Sequence, residues 1–179
     1  HPSTLATALR AYAGSVELSA GRFLAATQLF GDGSAPRQSH TLASGQLLAH
    51  IVLPPPAANE RAIYLRATNR TRAEWPLVEV VARLFSDASG PQAAVVVGGV
   101  APIPLRLPNV EQALRGPLQP AELEAAAQRA TDGAKALPQT EYKLELLRGL
   151  VLTALEKLVA APTSRAAASP DRSPTHGTL

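Results

Sequence analysis

An α+β fold is predicted by three features of this 179-residue chain. Three strand candidates, 62–68, 77–85 and 93–99, the second and third rich in Val, follow one another across short connections. Segments with helical spacing come after them, over 109–114, 120–130 and 140–158, and not between them. The run Pro54-Pro55-Pro56 separates both groups from an earlier mixed portion. The expected architecture is the end of one α/β unit followed by a three-stranded antiparallel sheet packed on a three-helix bundle.

The elements follow from local chemistry. Ser3 is a suitable N-cap for a helix over 3–13, with Leu5, Ala8, Leu9 and Tyr12 at helical spacing and Gly14 as its stop. Val16-Glu17-Leu18 and Arg22-Phe23-Leu24 read as short strands, and 31–36 as an exposed Gly/Ser/Pro loop. Leu47 to Leu53 alternates as a strand that the prolines terminate, because proline cannot donate to a ladder. Asp87-Ala88-Ser89-Gly90 supplies the turn of an antiparallel hairpin between the second and third stretches. Asn109 is expected to cap one helix, Pro120 to sit in the first turn of another, and Thr140 to cap a third whose apolar positions include Tyr142, Leu146, Leu150, Leu155 and Leu158. From Ala161 onward Ala, Ser, Thr, Pro and Gly dominate without period, which predicts a disordered tail over 161–179.

Composition excludes several classes of function. Hydrophobic residues make up 46% of the chain but aromatic residues only 4%, so the interior must be built from Leu, Val, Ile and Ala. A net charge of +3 with no basic stripe gives no footprint for nucleic acid. Cysteine is absent, which removes disulfides, thiolate nucleophiles and Cys-ligated zinc or iron–sulfur clusters from these residues. No apolar run is long enough for a membrane-spanning helix, and the first residues do not read as a signal peptide. The chain holds no Met and begins at His1, so it is expected to be a piece of a longer polypeptide.

Residue by residue, no self-contained catalyst emerges. His1, His40, His50 and His176 are too far apart in sequence to form a helical metal pair. No nucleophile elbow or Walker loop is present, and Gly98-Gly99 alone is as readily a bend as a ligand contact. The Asn69-Arg70-Thr71 sequon carries no weight here. The carboxylates Glu122, Glu124, Glu141 and Glu145 read as surface charges.

The order of segments says more. Gly45-Gln46-Leu47-Leu48 to Pro54, Tyr64-Leu65-Arg66 to Arg70, and Gly98-Gly99-Val100-Ala101-Pro102-Ile103-Pro104-Leu105-Arg106 come in succession. Asn109 to Gly116 and Tyr142-Lys143-Leu144-Glu145-Leu146 follow, and His1-Pro2-Ser3-Thr4-Leu5-Ala6-Thr7-Ala8-Leu9 opens the chain. Together they resemble the C-terminal part of the FAD-binding (medium, flavoprotein) subunit of the molybdenum hydroxylases, the xanthine dehydrogenase, carbon monoxide dehydrogenase and aldehyde oxidoreductase type. The opening is similar to the aldehyde-oxidoreductase branch. Thr4 stands where the family pattern has Asp, and Arg66 where it has Lys.

The resemblance implies that residues 1–53 end an FAD-binding domain, that 60–160 form the family's small C-terminal domain, and that 161–179 are tail. It implies FAD as cofactor, with molybdopterin on a large partner subunit and 2Fe-2S clusters on a small one. Neither nucleic acid nor membrane is implied as a partner. The activity implied is that of an FAD-dependent oxidoreductase subunit passing electrons from iron–sulfur clusters to an external acceptor. Ser3, Thr4, Leu48 and Arg66 are the implied cofactor contacts, with no catalytic residue and no metal ligand. Leu48 reads equally as core, and Arg66 as a solvated or ion-paired strand residue. The family's glycine-rich FAD phosphate loops have no counterpart here, so the chain by itself is expected to hold FAD poorly and to be inactive. A noncatalytic domain that docks on the molybdenum and iron–sulfur subunits is the alternative. The expected location is cytoplasmic, or periplasmic through a partner's signal.

Overall fold

A computed structural model describes residues 3–35, 37–69 and 75–161. The expected tail, from 162 onward, lies outside the described residues, as do His1, His176 and most of the sequon.

The first helix, α1 (Thr4–Ala11), starts as predicted, with the Ser3 side chain accepting from the Ala6 N–H at 3.3 Å. Its buried stripe differs from the expected one. Ala6, Thr7, Leu9 and Ala11 point inward while Leu5 is 61% exposed. The left-handed residue ending the helix is Ala13 (φ 49°), and Gly14 serves a different need. A Cβ on Gly14 would run into Leu9 and come within 3.0 Å of the Val52 carbonyl oxygen. Strands β1 (Ser15–Leu18), β2 (Phe23–Ala25) and β3 (Leu48–Val52) form an antiparallel sheet in the order β2-β1-β3. A five-residue helix, α2 (Ala26–Phe30), follows β2 directly and has no periodic signature at that length. Val16, Leu18, Leu24, Leu29 and Phe30 make the core of this portion with Leu9 of α1.

The three predicted strands are longer than expected: β4 (Ala58–Ala67), β5 (Val78–Asp87) and β6 (Gly90–Gly98). They pair antiparallel as a meander, and the β5–β6 hairpin closes at Asp87↔Gly90. A two-residue strand, β7 (Leu105–Arg106), adds a fourth position on β6. Strand β5 is buried along nearly its whole length because both faces are covered, which is why it reads as a continuous apolar run and not an alternating one.

One face of the sheet, through Val78, Val80, Ala82, Leu84, Val95 and Val97, packs on helices α3 (Pro108–Ala113), α4 (Pro120–Gln128) and α5 (Tyr142–Ala160). Each fully buried aliphatic side chain contributes about 1.5–3 kcal/mol to that core. The other face, through Val81 and Val96, packs on Ala11 of α1. Ile103, from the β6–β7 connection, inserts into the first core, so the two portions share an interior boundary.

Two helix starts differ from expectation. Leu107 precedes α3 and Pro108 takes its first turn, so Asn109 lies inside the helix and its amide donates to Asp132 at 2.9 Å. Thr140 donates to the Leu137 carbonyl instead of capping α5. The far end of α5 meets Arg61, whose Nη1 donates to the Val159 carbonyl at 2.9 Å, a cation at the negative end of the helix dipole.

Candidate functional site

Alternation on β5 sends Val78, Val80 and Ala82 to the helix-covered core and Glu79, Val81 and Arg83 toward α1. Two charged side chains are thereby buried in the α1–sheet junction, Glu79 at 0% exposure and Arg83 at 5%. Each is satisfied differently.

Arg83 forms an ion pair with Glu60 of β4 at 3.1 Å and donates to the Ala11 carbonyl at 2.9 Å. Its guanidinium also lies over the rings of Tyr12 and Phe85, 3.9 and 4.6 Å from their centres. Burial pushes the Glu60 carboxyl upward, but the Ala57 N–H and the Arg83 guanidinium outweigh it and hold the group below its ordinary value. Burial, with Glu60 beside it, raises the Tyr12 phenol.

Glu79 has no ion pair among the described residues. Its Oε2 accepts from the Tyr64 hydroxyl at 3.1 Å, and the Thr4 hydroxyl, 3.1 Å from the same oxygen, has one proton to give either to it or to Tyr64. Glu79 Oε1 lies 3.0 Å from the Thr7 hydroxyl, whose proton the Ser3 carbonyl also takes at 3.0 Å. Thr4 and Tyr64 touch each other at 2.9 Å. Partial burial, and then the negative charge of Glu79, raise the Tyr64 phenol despite the opposing bond from Thr4, so it stays a neutral donor well above neutral pH.

Two of the predicted contacts are thus brought into one neighbourhood. Thr4 is bonded to Tyr64, and Arg66 follows Tyr64 by two residues on the same face of β4, directly across from Glu79 in register. Thr4 and Tyr64 also line a small cleft of about 170 Å³ between α1 and β4. The side chain of Ser3 is engaged in capping α1. Leu48 lies apart, on the three-stranded sheet opposite Leu18, and is 44% exposed. Sequence reading missed Tyr64 and Glu79 as members of this cluster. The signal available was a lone acidic residue inside an otherwise apolar strand.

A larger concavity of about 810 Å³ lies elsewhere, between the β6–β7 connection and the start of α5, and none of the four predicted contacts lines it. The two segments that carried the resemblance meet there. Lys143 Nζ donates to the Gly99 carbonyl at 2.8 Å, tying the start of α5 to the strand exit. Arg106 Nε contacts both oxygens of Glu111 at 2.7 and 2.9 Å, and Glu111 also accepts from the Val95 N–H at 2.9 Å. These residues therefore hold the architecture, and that is what their spacing records.

Residues 63–158, more than half of the chain, match the sequence profile of the CO dehydrogenase flavoprotein C-terminal domain. The chain belongs to that family. Membership places it among the FAD-binding subunits of molybdenum hydroxylases. A curated relative of this flavoprotein family, the aldehyde oxidoreductase FAD-binding subunit PaoB of Escherichia coli K12, is 30% identical over 154 residues, covering 82% of this chain and 44% of PaoB. Among solved structures, quinoline 2-oxidoreductase from Pseudomonas putida 86 matches with a TM-score of 0.74 at 18% identity, over 89% of this chain and 56% of its own. Carbon monoxide dehydrogenases from Hydrogenophaga pseudoflava and Oligotropha carboxidovorans match with TM-scores of 0.73 and 0.71, each at 20% identity and over 87% of this chain. They are covered over 55% and 56% of their own chains. The chain thus spans about half the length of the proteins it matches.

Among the described residues no group of three or more His, Cys, Asp or Glu is placed to hold a metal ion. His50 instead pairs with Glu17 across β1 and β3 at 3.1 Å. No helix among them is long and apolar enough to cross a membrane.

Proposed function

We propose that this chain is the cofactor-closing part of an FAD-binding subunit in a molybdenum-containing oxidoreductase, which passes electrons from iron–sulfur clusters through FAD to an external acceptor. The observation that carries the proposal is the junction at Thr4 and Tyr64. The helix opening and the strand bearing Arg66, two separate parts of the family pattern, supply polar groups to one cleft. When bound, FAD supplies the redox chemistry, and the protein binds, orients and tunes it.

The residues present fit a flat, partly polar ring system. Thr4 and Tyr64 offer hydroxyls, and Arg66 offers an exposed cation on the same face as Tyr64. Leu48 offers apolar surface. Arg66 would favour negative charge held on the ligand; Leu48, on the other sheet, does not line this cleft and would add apolar contact only to a ligand that extends beyond it. In this reading residues 1–53 complete the FAD-binding domain and 60–160 form the C-terminal domain. These residues then contribute contacts to the ring system of the cofactor. The partners are a molybdopterin-binding large subunit and a 2Fe-2S small subunit.

The test is titration of the full-length protein with FAD, followed by flavin fluorescence quenching, with Thr4→Val and Arg66→Gln beside it. Saturable binding weakened by both substitutions is expected. Binding indifferent to both would sink the assignment of these contacts.

The second reading is a noncatalytic docking domain for the molybdenum and iron–sulfur subunits. Leu47, Leu48, Ile51, Val52 and Leu53, which are 40–66% exposed in a chain that spans about half the length of its relatives, would supply apolar surface to it. Subunit assembly with no FAD uptake by the full-length protein would select it.

A further inference from the structure

The carboxylate of Glu79 is fully buried, yet among the described residues it has no cationic partner. A buried charge of that kind is costly unless hydrogen bonds replace its water. Here three hydroxyls surround it, Tyr64 of β4 and Thr4 and Thr7 of α1, with the Thr4 proton shared between Glu79 and Tyr64 and the Thr7 proton between Glu79 and the Ser3 carbonyl. Its neighbour in register on β6 is Gly98, which brings no charge and leaves the room the carboxylate fills. Its neighbour in register on β4 is Arg66, whose side chain is exposed. Arg83, the other cation on this face of β5, is engaged by Glu60 and the Ala11 carbonyl.

Burial on one side and exposure on the other give the cluster a direction. Thr7 and Glu79 are sealed, while Thr4 and Tyr64 reach the cleft and Tyr64 remains 37% exposed. Both outer hydroxyls share a single carboxylate oxygen, so moving that oxygen moves both. A serine or alanine in its place would leave the two hydroxyls held only by their bond to each other.

We infer that Glu79 is a positioning residue: its buried carboxylate fixes the hydroxyls of Thr4 and Tyr64 at the mouth of the α1–β4 cleft and so sets the polar face offered to the cofactor. The inference rests on the cofactor reading above. Glu79 itself does not touch the ligand; it acts through the two hydroxyls. A role confined to fastening α1 on the sheet would change stability but leave FAD affinity unchanged in the folded protein; the Tyr64 titration reports whether the carboxylate holds that phenol at all.

The experiment uses Glu79→Gln and Glu79→Ala with two readouts. The first is the titration midpoint of Tyr64 in the flavin-free protein, followed by ring-carbon NMR and assigned with Tyr64→Phe among the chain's three tyrosines. Glu79→Gln keeps the shape and removes the charge, so the Tyr64 midpoint is expected to fall. The second is FAD affinity in the full-length protein. Glu79→Ala is expected to weaken it about tenfold, while Glu79→Gln stays within about threefold. A Tyr64 midpoint that stays put in Glu79→Gln, which is built to fold, overturns the inference. So does unchanged FAD affinity in a folded Glu79→Ala protein. If the unsubstituted protein takes up no FAD, the cofactor reading fails instead, and the phenol titration, read without flavin, tells the two failures apart.

Discussion

Gly98 lies directly across from Glu79 in the β5–β6 ladder, and a Cβ on Gly98 would collide with the carboxylate Oε1. The same Cβ would stand 2.8 Å from both Glu79 Cγ and the Thr7 hydroxyl. The strand therefore gives up a side chain at 98 so that a charged one can be buried at 79. Gly98→Ala is expected to destabilise the protein by about 1–3 kcal/mol, the usual cost of overpacking a filled interior. Chemical denaturation measures this, and combining it with Glu79→Ala should cost less than the sum of the two. Full additivity would mean that the two positions are not competing for the same space.

Much of the fold was legible because its signals were local. The Val-rich strands, the Asp87–Gly90 turn, Pro120 in its first turn and the Ser3 cap each depend on a few adjacent residues, and each recurs in the structure. Helix α2 was not legible, since five residues give no period. Strand β7 was not either, since two residues carry no alternation, and its Arg106 meets Glu111 only in the folded chain. The candidate site was half legible. Thr4 and Arg66 follow from the family pattern, but Tyr64 and Glu79 join them only once α1 folds onto the sheet, a contact between residues 60 and 75 positions apart. Leu5 misled for the same reason: the inward stripe of α1 is set by Thr7 reaching Glu79, and periodicity weighs only apolar residues.

Arg83 is the second buried charge, and its partners predict a large effect. Arg83→Ala removes the ion-pair partner of Glu60, which keeps its bond from the Ala57 N–H, takes the donor from the Ala11 carbonyl and removes a cation packed on Tyr12 and Phe85. Breaking one side of a buried pair costs about 3–5 kcal/mol. A loss within about 1 kcal/mol, measured by denaturant unfolding, would show that the pair is no better than a surface bridge.

The same pair sets a pH dependence. Burial works against ionised Glu60, yet the Ala57 N–H and Arg83 together hold its carboxyl below the ordinary 4.5. A carboxyl lowered in the folded state contributes stability in full above the unfolded value and loses it as pH falls through the folded one. Unfolding free energy is therefore expected to decline below about pH 4.5, with Glu60→Gln flattening that part of the profile. Parallel acid profiles for the two proteins would assign the decline to other carboxylates.

Lys143 sits in the first turn of α5, where the helix dipole disfavours a cation, so its bond to the Gly99 carbonyl must offset that placement. Gly99 itself has φ of +79°, and a Cβ there would approach the Leu77 carbonyl oxygen to 2.8 Å. Lys143→Met keeps most of the apolar stem and removes the donor. It is expected to cost about 1 kcal/mol and to loosen the strand exit, read as faster amide exchange around Val100 and Ala101. Gly99→Ala should cost more, because it strains the backbone as well. Equal stability of both variants with the parent would separate these two signature segments from the integrity of the fold.

Arg66 carries the prediction that bears most on function. It is exposed on the face of β4 that also presents Tyr64, opposite the buried Glu79 in register, and no ion pair to it is formed among the described residues. A cation left unpaired beside a redox ligand favours the more negative state of that ligand and so raises its reduction potential. Arg66→Gln should then lower the potential of FAD bound to the full-length protein, by about 10–30 mV for an exposed charge, with little change in stability. Arg66→Lys should restore most of it, since charge and not the guanidinium fork is what acts. The shift should shrink as salt is added, because the side chain is solvent-exposed. Redox titration with a dye series measures all of this. A potential unmoved by Arg66→Gln at low salt would return Arg66 to the role of an ordinary solvated strand residue.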